Sequence, residues 1–171
     1  MPGTLLQRLD EAGRNEFWAS LALRHCPGMG PRLACRVLKA YGSAYAAFRH
    51  LAGEGAGPLL PAPVLAALKA EQWREAALCE WGLAGRLDAD VVLWTDEAYP
   101  ERLRELPDAP VLLYARGDIG LLQAPAIGVV GTRHCSGRGR HDAGVLAGSL
   151  SAAGLVVVSG LALGVECADH L

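Results

Sequence analysis

Two short apolar runs, separated by a basic loop and an alanine-rich segment, constrain the fold of this chain more than any other feature. The first run covers residues 126–130 and leads into Gly131, and the second covers residues 155–158 and leads into Ser159 and Gly160. This order predicts a strand, a loop, a helix and a second strand, which together form a βαβ unit with a parallel sheet. Both loops then lie at the carboxyl ends of the strands, where open α/β sheets bind their ligands.

The loop after the first strand is basic, with Arg133, Arg138 and Arg140 and no acid before Asp142. Its glycines allow a phosphate to approach the backbone, and the N-terminus of the following helix favours an anion. Arg133 can make bidentate, charge-assisted contacts with phosphate oxygens. The sequence therefore predicts a phosphate-binding site drawn from both loops: Gly131, Thr132, Arg133, Arg138, Arg140, Ser159 and Gly160.

The charged and hydroxyl side chains of this site also have purely structural interpretations. Arg133 can form a salt bridge within its own loop. Arg138 and Arg140 can belong to the solvated start of the helix, and Ser159 can cap the next turn. These alternatives stay open at the level of sequence.

Nucleotide cofactors and metals fit the sequence poorly. A dinucleotide site needs a G-x-G-x-x-G fingerprint followed by an acid about 20 residues later. Gly131 and Gly137 are too far apart for it, and the acid expected after residues 155–158 is absent. A P-loop needs a lysine that the loop lacks, and the five cysteines form no CxxC pair. With no Ser/His/Asp set and no paired carboxylates, we predict no cofactor, no metal and no catalytic residue.

The composition is that of a globular protein. The 171 residues are 51% hydrophobic and 20% charged, which excludes intrinsic disorder. The net charge is −2, so that any binding to a polyanion must come from a local patch. No apolar run is long enough to cross a bilayer, and no signal peptide is recognisable. We expect a cytoplasmic location with reduced cysteines.

Residues 1–84 are predicted to form an all-helical module. Asn15 is a candidate N-cap of the first helix, and Ser43 is a candidate N-cap of a later one. Between them, Pro31 is typical of the first position of a helix and Gly42 of the residue just after its end.

Further along, periodic apolar residues predict a longer helix over residues 63–83 that Gly82 and Gly85 terminate. The character then changes, and residues 85–171 are predicted to be the first part of an α/β domain. In it, residues 90–94 and 111–114 are expected to be short strands that precede the βαβ unit.

The segment Cys26-Pro-Gly-Met-Gly-Pro31 resembles a helix-hairpin-helix turn, in which two glycines flank an apolar residue before a helix. In such turns, exposed N–H groups at the helix N-terminus can hold a DNA phosphate. Gly28, Gly30 and Arg32 are therefore secondary candidates for contacts with DNA. The structural alternative is a tight turn between two helices, with Met29 in the core.

An ordered set of motifs over the rest of the chain resembles the DNA-processing protein A (DprA, also called Smf) family of bacteria. The set consists of Tyr99-Pro100 with Leu103, Asp108-Ala-Pro-Val-Leu-Leu-Tyr-Ala-Arg-Gly117, Val129-Val-Gly-Thr-Arg133, Gly139, Ala153-Gly154, Val158-Ser-Gly-Leu-Ala-Leu-Gly-Val-Glu166 and His170. The resemblance implies a small helical (SAM-like) module followed by a Rossmann-like parallel-sheet domain.

The resemblance also implies a function. Proteins of this family bind single-stranded DNA, protect incoming DNA during natural transformation and help to load the RecA recombinase, without established catalytic chemistry. They are expected to be homodimers at full length. The arginine with which the family contacts DNA falls on Arg133, and its second glycine-rich loop falls on Ser159 and Gly160.

Three departures from the family pattern are visible. Glu166 stands where the family usually has aspartate, and Leu163 replaces a residue that is commonly arginine. The sequence ends at Leu171, so we expect a truncated Rossmann-like domain whose RecA and dimer contacts lie further on. Two other hypotheses remain: an enzyme of related fold that acts on nucleoside monophosphates, and a protein-docking role for residues 1–84.

Overall fold

The structure is a computed structural model that describes residues 9–53, 59–87 and 89–164. Two compact units divide the chain, Met1–Ile119 and Gly120–Leu171. The described ranges contain α1 (Glu11–His25), α2 (Pro31–Tyr41), α3 (Ala44–Ala52), α4 (Ala62–Lys69), α5 (Arg74–Arg86), β1 (Asp90–Leu93), α6 (Glu101–Arg104), β2 (Leu112–Ala115), a 3-10 helix (Ile119–Gln123), β3 (Ala126–Gly128), α7 (Gly137–Ala152) and β4 (Val156–Val158). The predicted α/β fold with an N-terminal helical module is confirmed. None of the helices in these ranges is long and apolar enough to cross a membrane.

The caps of the first helices follow the predicted chemistry with one exception. Asp10, and not Asn15, is the N-cap of α1, because its carboxylate accepts a hydrogen bond of 2.7 Å from the N–H of Gly13. Ser43 caps α3 as predicted. Gly42 ends α2 with a φ of 79°, a left-handed conformation that residues with a side chain rarely adopt.

The single helix predicted over residues 63–83 is wrong, because the chain forms α4 and α5 with a turn between them. Glu71 in this turn has a φ of 52°, which a continuous helix does not allow. The turn changes the helical phase and buries Trp73, which is 6% exposed. Its ring packs edge-on against that of Phe48, with ring centroids 5.9 Å apart. Burial of an aromatic side chain of this size offsets the lost helical hydrogen bonds.

Gly82 and Gly85 were expected to end this helix, and that expectation is also wrong. Both glycines lie inside α5, which continues to Arg86. Glycine in a helix interior costs only about 1 kcal/mol relative to alanine, a penalty that tertiary packing outweighs. α5 packs against α1, and the ring centroids of Trp18 and Trp81 are 5.8 Å apart.

The first unit extends past residue 84, the predicted domain boundary, because β1 and β2 are held against the helices. The two strands pair antiparallel, with Leu93 opposite Leu112. Tyr114 of β2 donates a hydrogen bond of 2.8 Å to the Glu80 carboxylate of α5. Lys39 of α2 donates one of 3.3 Å to the carbonyl oxygen of Leu106. The compact unit therefore includes this hairpin and ends at Ile119.

Tyr99, the first residue of the family-like motifs, has a structural role in this unit. Its side chain is 1% exposed, and its hydroxyl donates a hydrogen bond of 2.6 Å to the carbonyl oxygen of Pro110. The Arg104 guanidinium lies over the Tyr99 ring at 5.2 Å and donates to the carbonyl oxygen of Trp94 at 2.7 Å. These contacts tie the segment after β1 to the segment before β2.

Alkaline pH is expected to destabilise the first unit through Tyr99. Burial, and to a smaller extent Cys35, raise the pKa of Tyr99 to about 12, against a smaller opposing effect of Arg104. The folded pKa exceeds the unfolded value of about 10, so the contribution of neutral Tyr99 to the free energy of unfolding is complete below pH 10. Above that, this contribution falls by about 1.4 kcal/mol per pH unit towards pH 12. Tyr99→Phe should flatten that part of the profile, measured by urea unfolding between pH 8 and 11.5.

Two other tyrosines, Tyr114 and Tyr45, affect how this measurement is interpreted. Tyr114 also has a raised pKa, caused first by burial and then by its hydrogen bond to Glu80, so that Tyr99→Phe should leave part of the alkaline loss in place. Tyr45 is more exposed, and Tyr45→Phe serves as the matched control. A Tyr99→Phe profile parallel to that of the wild type would contradict the assignment.

The second unit contains the predicted βαβ arrangement. β3 and β4 are parallel neighbours, and α7 connects them in sequence. Both strands are shorter than predicted, since the apolar runs continue past the paired residues. Ala143 and Ala147 are the buried residues of α7, and their spacing of four places them on one face of the helix.

Candidate functional site

Two loops leave the same edge of the parallel sheet in the second unit. Gly128, the last residue of β3, is the register partner of Val158, the last residue of β4. The N–H of Val129 still donates to the carbonyl oxygen of Val158 at 2.9 Å. We call residues 129–136 the basic loop and residues 159–164 the second loop. They start side by side because the strands end in register.

The basic loop ends at the N-terminus of α7. Ser136 is the N-cap, and its hydroxyl accepts a hydrogen bond of 3.1 Å from the N–H of Gly139. The N–H groups of Gly137 and Arg138 have no partner in the described part of the chain. The first turn of α7 contains no acid. Free N–H groups and an unneutralised helix dipole make this position suitable for an anion.

The three predicted arginines are all exposed at this edge. Arg138 is 3.6 Å from the Asp142 carboxylate, with side chains that are 91% and 62% exposed, respectively. Such an exposed pair contributes little to stability. Arg133 and Arg140 form no ion pair with any residue of the described ranges. No residue of these ranges therefore forms the salt bridge that was the structural alternative for Arg133.

The hydroxyl groups of Thr132 and Ser159 stabilise their own loops. The Thr132 hydroxyl accepts a hydrogen bond of 3.2 Å from the N–H of His134. The Ser159 hydroxyl accepts one of the same length from the N–H of Leu161. For Ser159 this is the turn-capping role that was the alternative to ligand binding. Gly131 and Gly160, like Thr132, lie in exposed positions, and Ser159 is half-buried.

Charge in the second unit is concentrated on these loops and the start of α7. Residues 120–164 contain three arginines, no lysine and one acid, Asp142, which gives a net charge of +2 against −2 for the whole chain. Glu166 and Asp169 follow outside the described residues. The segment contains no Phe, Trp or Tyr. Its chemistry therefore suits a phosphate backbone better than a stacked base.

Metal binding and carboxylate chemistry have no visible site here. No group of three or more His, Cys, Asp or Glu residues that could hold a metal ion occurs within the described ranges. With one acid in residues 120–164, a pair of carboxylates for general acid–base hydrolysis is absent from this segment.

The hairpin-like turn before α2 belongs to the first unit. Gly28 has a φ of 79°, and a β-carbon there would lie 2.9 Å from a methyl group of Val64. Met29 is buried, as its structural interpretation requires. Gly30 precedes Pro31 as the N-cap of α2, without a side-chain hydrogen bond. Packing thus accounts for a glycine at position 28, and its predicted contact with DNA stays a prediction.

Gly30 and Arg32 stay open for contact with a ligand. A β-carbon at Gly30 would meet no atom within 4 Å, and the Arg32 side chain is exposed. No acid stands in the first turn of α2, which is compatible with an anion at that helix end.

Gly164 is a residue of this edge for which the sequence predicted no role. It is buried, with a φ of 99°, where the second loop meets the backbone of Thr132 and Arg133. Its place in a glycine-containing loop after a strand was the only local signal. A close approach between two loops is a tertiary feature that a single sequence does not encode locally.

Comparisons with known proteins agree with the family resemblance. The sequence model of the family described as DNA recombination-mediator protein A matches residues 90–171. Over 76 residues the chain is 43% identical to the DNA processing protein DprA of Streptococcus pneumoniae, a match that covers 44% of this chain and 27% of that protein. The corresponding Bacillus subtilis protein is 36% identical over 77 residues, or 44% of this chain and 26% of the relative.

A solved structure is also similar. The X-ray structure of DNA processing protein A from Streptococcus pneumoniae aligns with a TM-score of 0.63 and 27% sequence identity, over 87% of this chain and 50% of that chain. The chain thus spans about half the length of the solved relative. The likeness covers the helical module as well as the sheet, whereas the sequence matches concern about a quarter of each relative.

Proposed function

Because the chain belongs, through residues 90–171, to the DNA recombination-mediator protein A family, we propose that it acts in DNA processing during recombination and natural transformation. Its specific activity is the binding of single-stranded DNA through the basic loop, the start of α7 and the second loop. The binding residues are Gly131, Thr132, Arg133, Arg138, Arg140, Ser159 and Gly160.

One observation carries the proposal: Arg133 is exposed and unpaired within the described ranges, beside a helix N-terminus without an acid. An unpaired guanidinium is available for a bidentate contact with a phosphate. The N–H groups of Gly137 and Arg138, which have no partner among the described residues, supply further donors at the same helix end. Arg140, which also lacks an ion pair in the part of the chain that the structure describes, adds a second positive charge.

The absence of aromatic side chains from residues 120–164 shapes the expected specificity. Stacking of bases on aromatic rings needs such side chains, and hydrogen bonds to base edges give sequence preference. Contacts with phosphates carry no sequence information. Binding should therefore depend on salt and be nearly independent of base sequence.

A titration with labelled oligonucleotides tests the proposal. With three phosphate contacts on a single strand, the slope of log K against log salt is about −2, and affinity falls roughly 20-fold between 50 and 200 mM salt. Oligo-dT and oligo-dA of equal length should bind within a few-fold of each other in fluorescence anisotropy. Strong preference for one base, or affinity that does not change with salt, would contradict the proposal.

The remaining roles extend the proposal along the family resemblance. We propose that the chain works in the cytoplasm as a DNA-binding and RecA-loading factor, without catalysis, in a protein that forms homodimers. Gly28, Gly30 and Arg32 are secondary DNA contacts in this proposal, with Arg32 as the one charged member. The nucleoside monophosphate alternative is supported by no observation on the described residues, and a protein-docking role for residues 1–84 stays a hypothesis.

A further inference from the structure

Gly164 occupies a position that no other residue type can take without a shift of the basic loop. A β-carbon at this residue would lie 2.7 Å from both the carbonyl carbon and the carbonyl oxygen of Arg133, and closer still to the carbonyl oxygen of Thr132. The atoms on the other side are backbone, which cannot rotate away as a flexible side chain can. A side chain at position 164 must therefore separate the second loop from residues 132 and 133.

Crowding against backbone atoms distinguishes Gly164 from the other described glycines with positive φ, since the β-carbon at Gly28 would meet only a side-chain methyl group of Val64. Gly154, at 84°, and Gly117, at 103°, would place a β-carbon in open space. At these two positions glycine is needed only for the positive φ of the backbone. Gly164 satisfies both that conformation and a close approach, so the two effects can be separated by comparing it with Gly154 in the same unit.

The close approach lies next to the residue that carries the proposed function. The strands pair only as far as Gly128 and Val158, followed by the hydrogen bond from Val129. Arg133 is four residues beyond that bond in an exposed loop. At Gly164 the second loop approaches the Arg133 backbone closely.

We propose that Gly164 is a positioning residue for DNA binding: it seats the second loop against the backbone of Thr132 and Arg133 and thereby holds the Arg133 guanidinium where it meets a phosphate. The inference rests on the proposed binding of single-stranded DNA. Gly164 itself has no side chain to offer, so that its effect on affinity passes through Arg133. The second loop then shapes the site as well as contacting the ligand.

A double-mutant cycle in the full chain tests this role. Gly164→Ala should weaken binding of oligo-dT about tenfold, comparable to the loss of one charge-assisted contact. Gly154→Ala also places a side chain at a positive φ, 84° against 99° at Gly164, but without the crowding, and should change affinity less than about twofold. In the Arg133→Ala background, Gly164→Ala should cause no further loss. Additive losses, or equal effects of Gly164→Ala and Gly154→Ala, would overturn the inference.

Trypsin cleavage after Arg133 gives a readout that needs no DNA. Displacement of the basic loop should speed this cleavage several-fold in Gly164→Ala but not in Gly154→Ala. If the wild type fails to bind DNA while cleavage responds in this way, the proposed function fails and the structural coupling holds. If DNA binds and neither readout responds, the coupling is refuted and the function stands.

A measurement on the unaltered chain covers the case in which Gly164→Ala does not fold. The amides of His134 and Leu161 are each hydrogen-bonded within their own loop. If the loops support each other, added oligo-dT should slow hydrogen exchange at both amides together. Protection of His134 without protection of Leu161 would contradict the inference.

Discussion

Arg133→Glu is expected to lower the affinity for single-stranded DNA about a hundredfold, and Arg133→Ala about tenfold. The alanine variant loses one charge-assisted contact, worth about 1.5–3 kcal/mol, and each 1.4 kcal/mol is a factor of ten. The glutamate variant adds a repulsive charge beside the phosphate. Because Arg133 is exposed and unpaired within the described ranges, neither change removes a contact that stabilises the fold.

The measurement is fluorescence anisotropy with labelled oligo-dT at 50 mM salt, after circular dichroism shows that each variant is folded. The slope of log K against log salt should become less steep by about 0.7 in Arg133→Ala, since one phosphate contact is lost. Arg86→Glu is the matched control, because it makes the same charge change on an exposed arginine of the first unit. Equal losses for Arg86→Glu and Arg133→Glu would indicate an effect of net charge alone.

Local chemistry explains which parts of the fold could be predicted. Pro31, Gly42 and Ser43 mark helix ends because each acts on the backbone within a few residues. The βαβ order follows from apolar runs and loop composition. Asn15 failed as a cap because Asp10 offers the same chemistry one turn earlier, and the periodic residues after it extend the helix in either case.

The other errors share one cause, which is packing between distant segments. The turn at Glu71 forms because it lets Trp73 reach Phe48, a contact across 25 residues. Periodicity within one segment holds no information about that partner. Residues 85–119 join the first unit for the same reason, through contacts such as that of Tyr114 with Glu80.

The candidate site also has one part that the sequence could predict and one part that it could not. Arg133 and the two loops could be found from composition and from their place after strands. Their mutual arrangement could not, because it depends on the close approach at Gly164 and on strands that end in register at Gly128 and Val158. The hydrogen bonds that the Thr132 and Ser159 hydroxyl groups accept within their own loops were likewise visible only in the structure, and their predicted contact with a ligand stays a prediction.

Glu16→Ala is expected to have the largest effect on stability, a loss of about 3 kcal/mol for the first unit. The Glu16 side chain is 5% exposed, and its two carboxylate oxygens accept hydrogen bonds from the N–H groups of Ala44 at 2.7 Å and Tyr45 at 2.9 Å. Ser43 already satisfies the N–H of Ala46. One carboxylate of α1 thus completes the N-terminus of α3.

The magnitude follows from what is left behind. An N–H group that loses its partner while it is buried costs about 1–3 kcal/mol, and the helix dipole adds a smaller contribution from the lost negative charge. Glu16→Gln keeps one accepting oxygen but turns an amide group towards the second N–H, so its loss should be intermediate. Glu11→Ala removes an exposed carboxylate from the same helix and should cost less than 1 kcal/mol.

Tryptophan fluorescence during urea unfolding reports on this unit alone, because Trp18, Trp73, Trp81 and Trp94 all precede Ile119. The expected order of midpoints is wild type and Glu11→Ala highest, then Glu16→Gln, then Glu16→Ala. A Glu16→Ala midpoint equal to that of Glu11→Ala would mean that water replaces the carboxylate at the end of α3. That outcome would remove the only buried charged link between α1 and α3 among the described residues as a source of stability, and leave apolar packing alone to hold the two helices together.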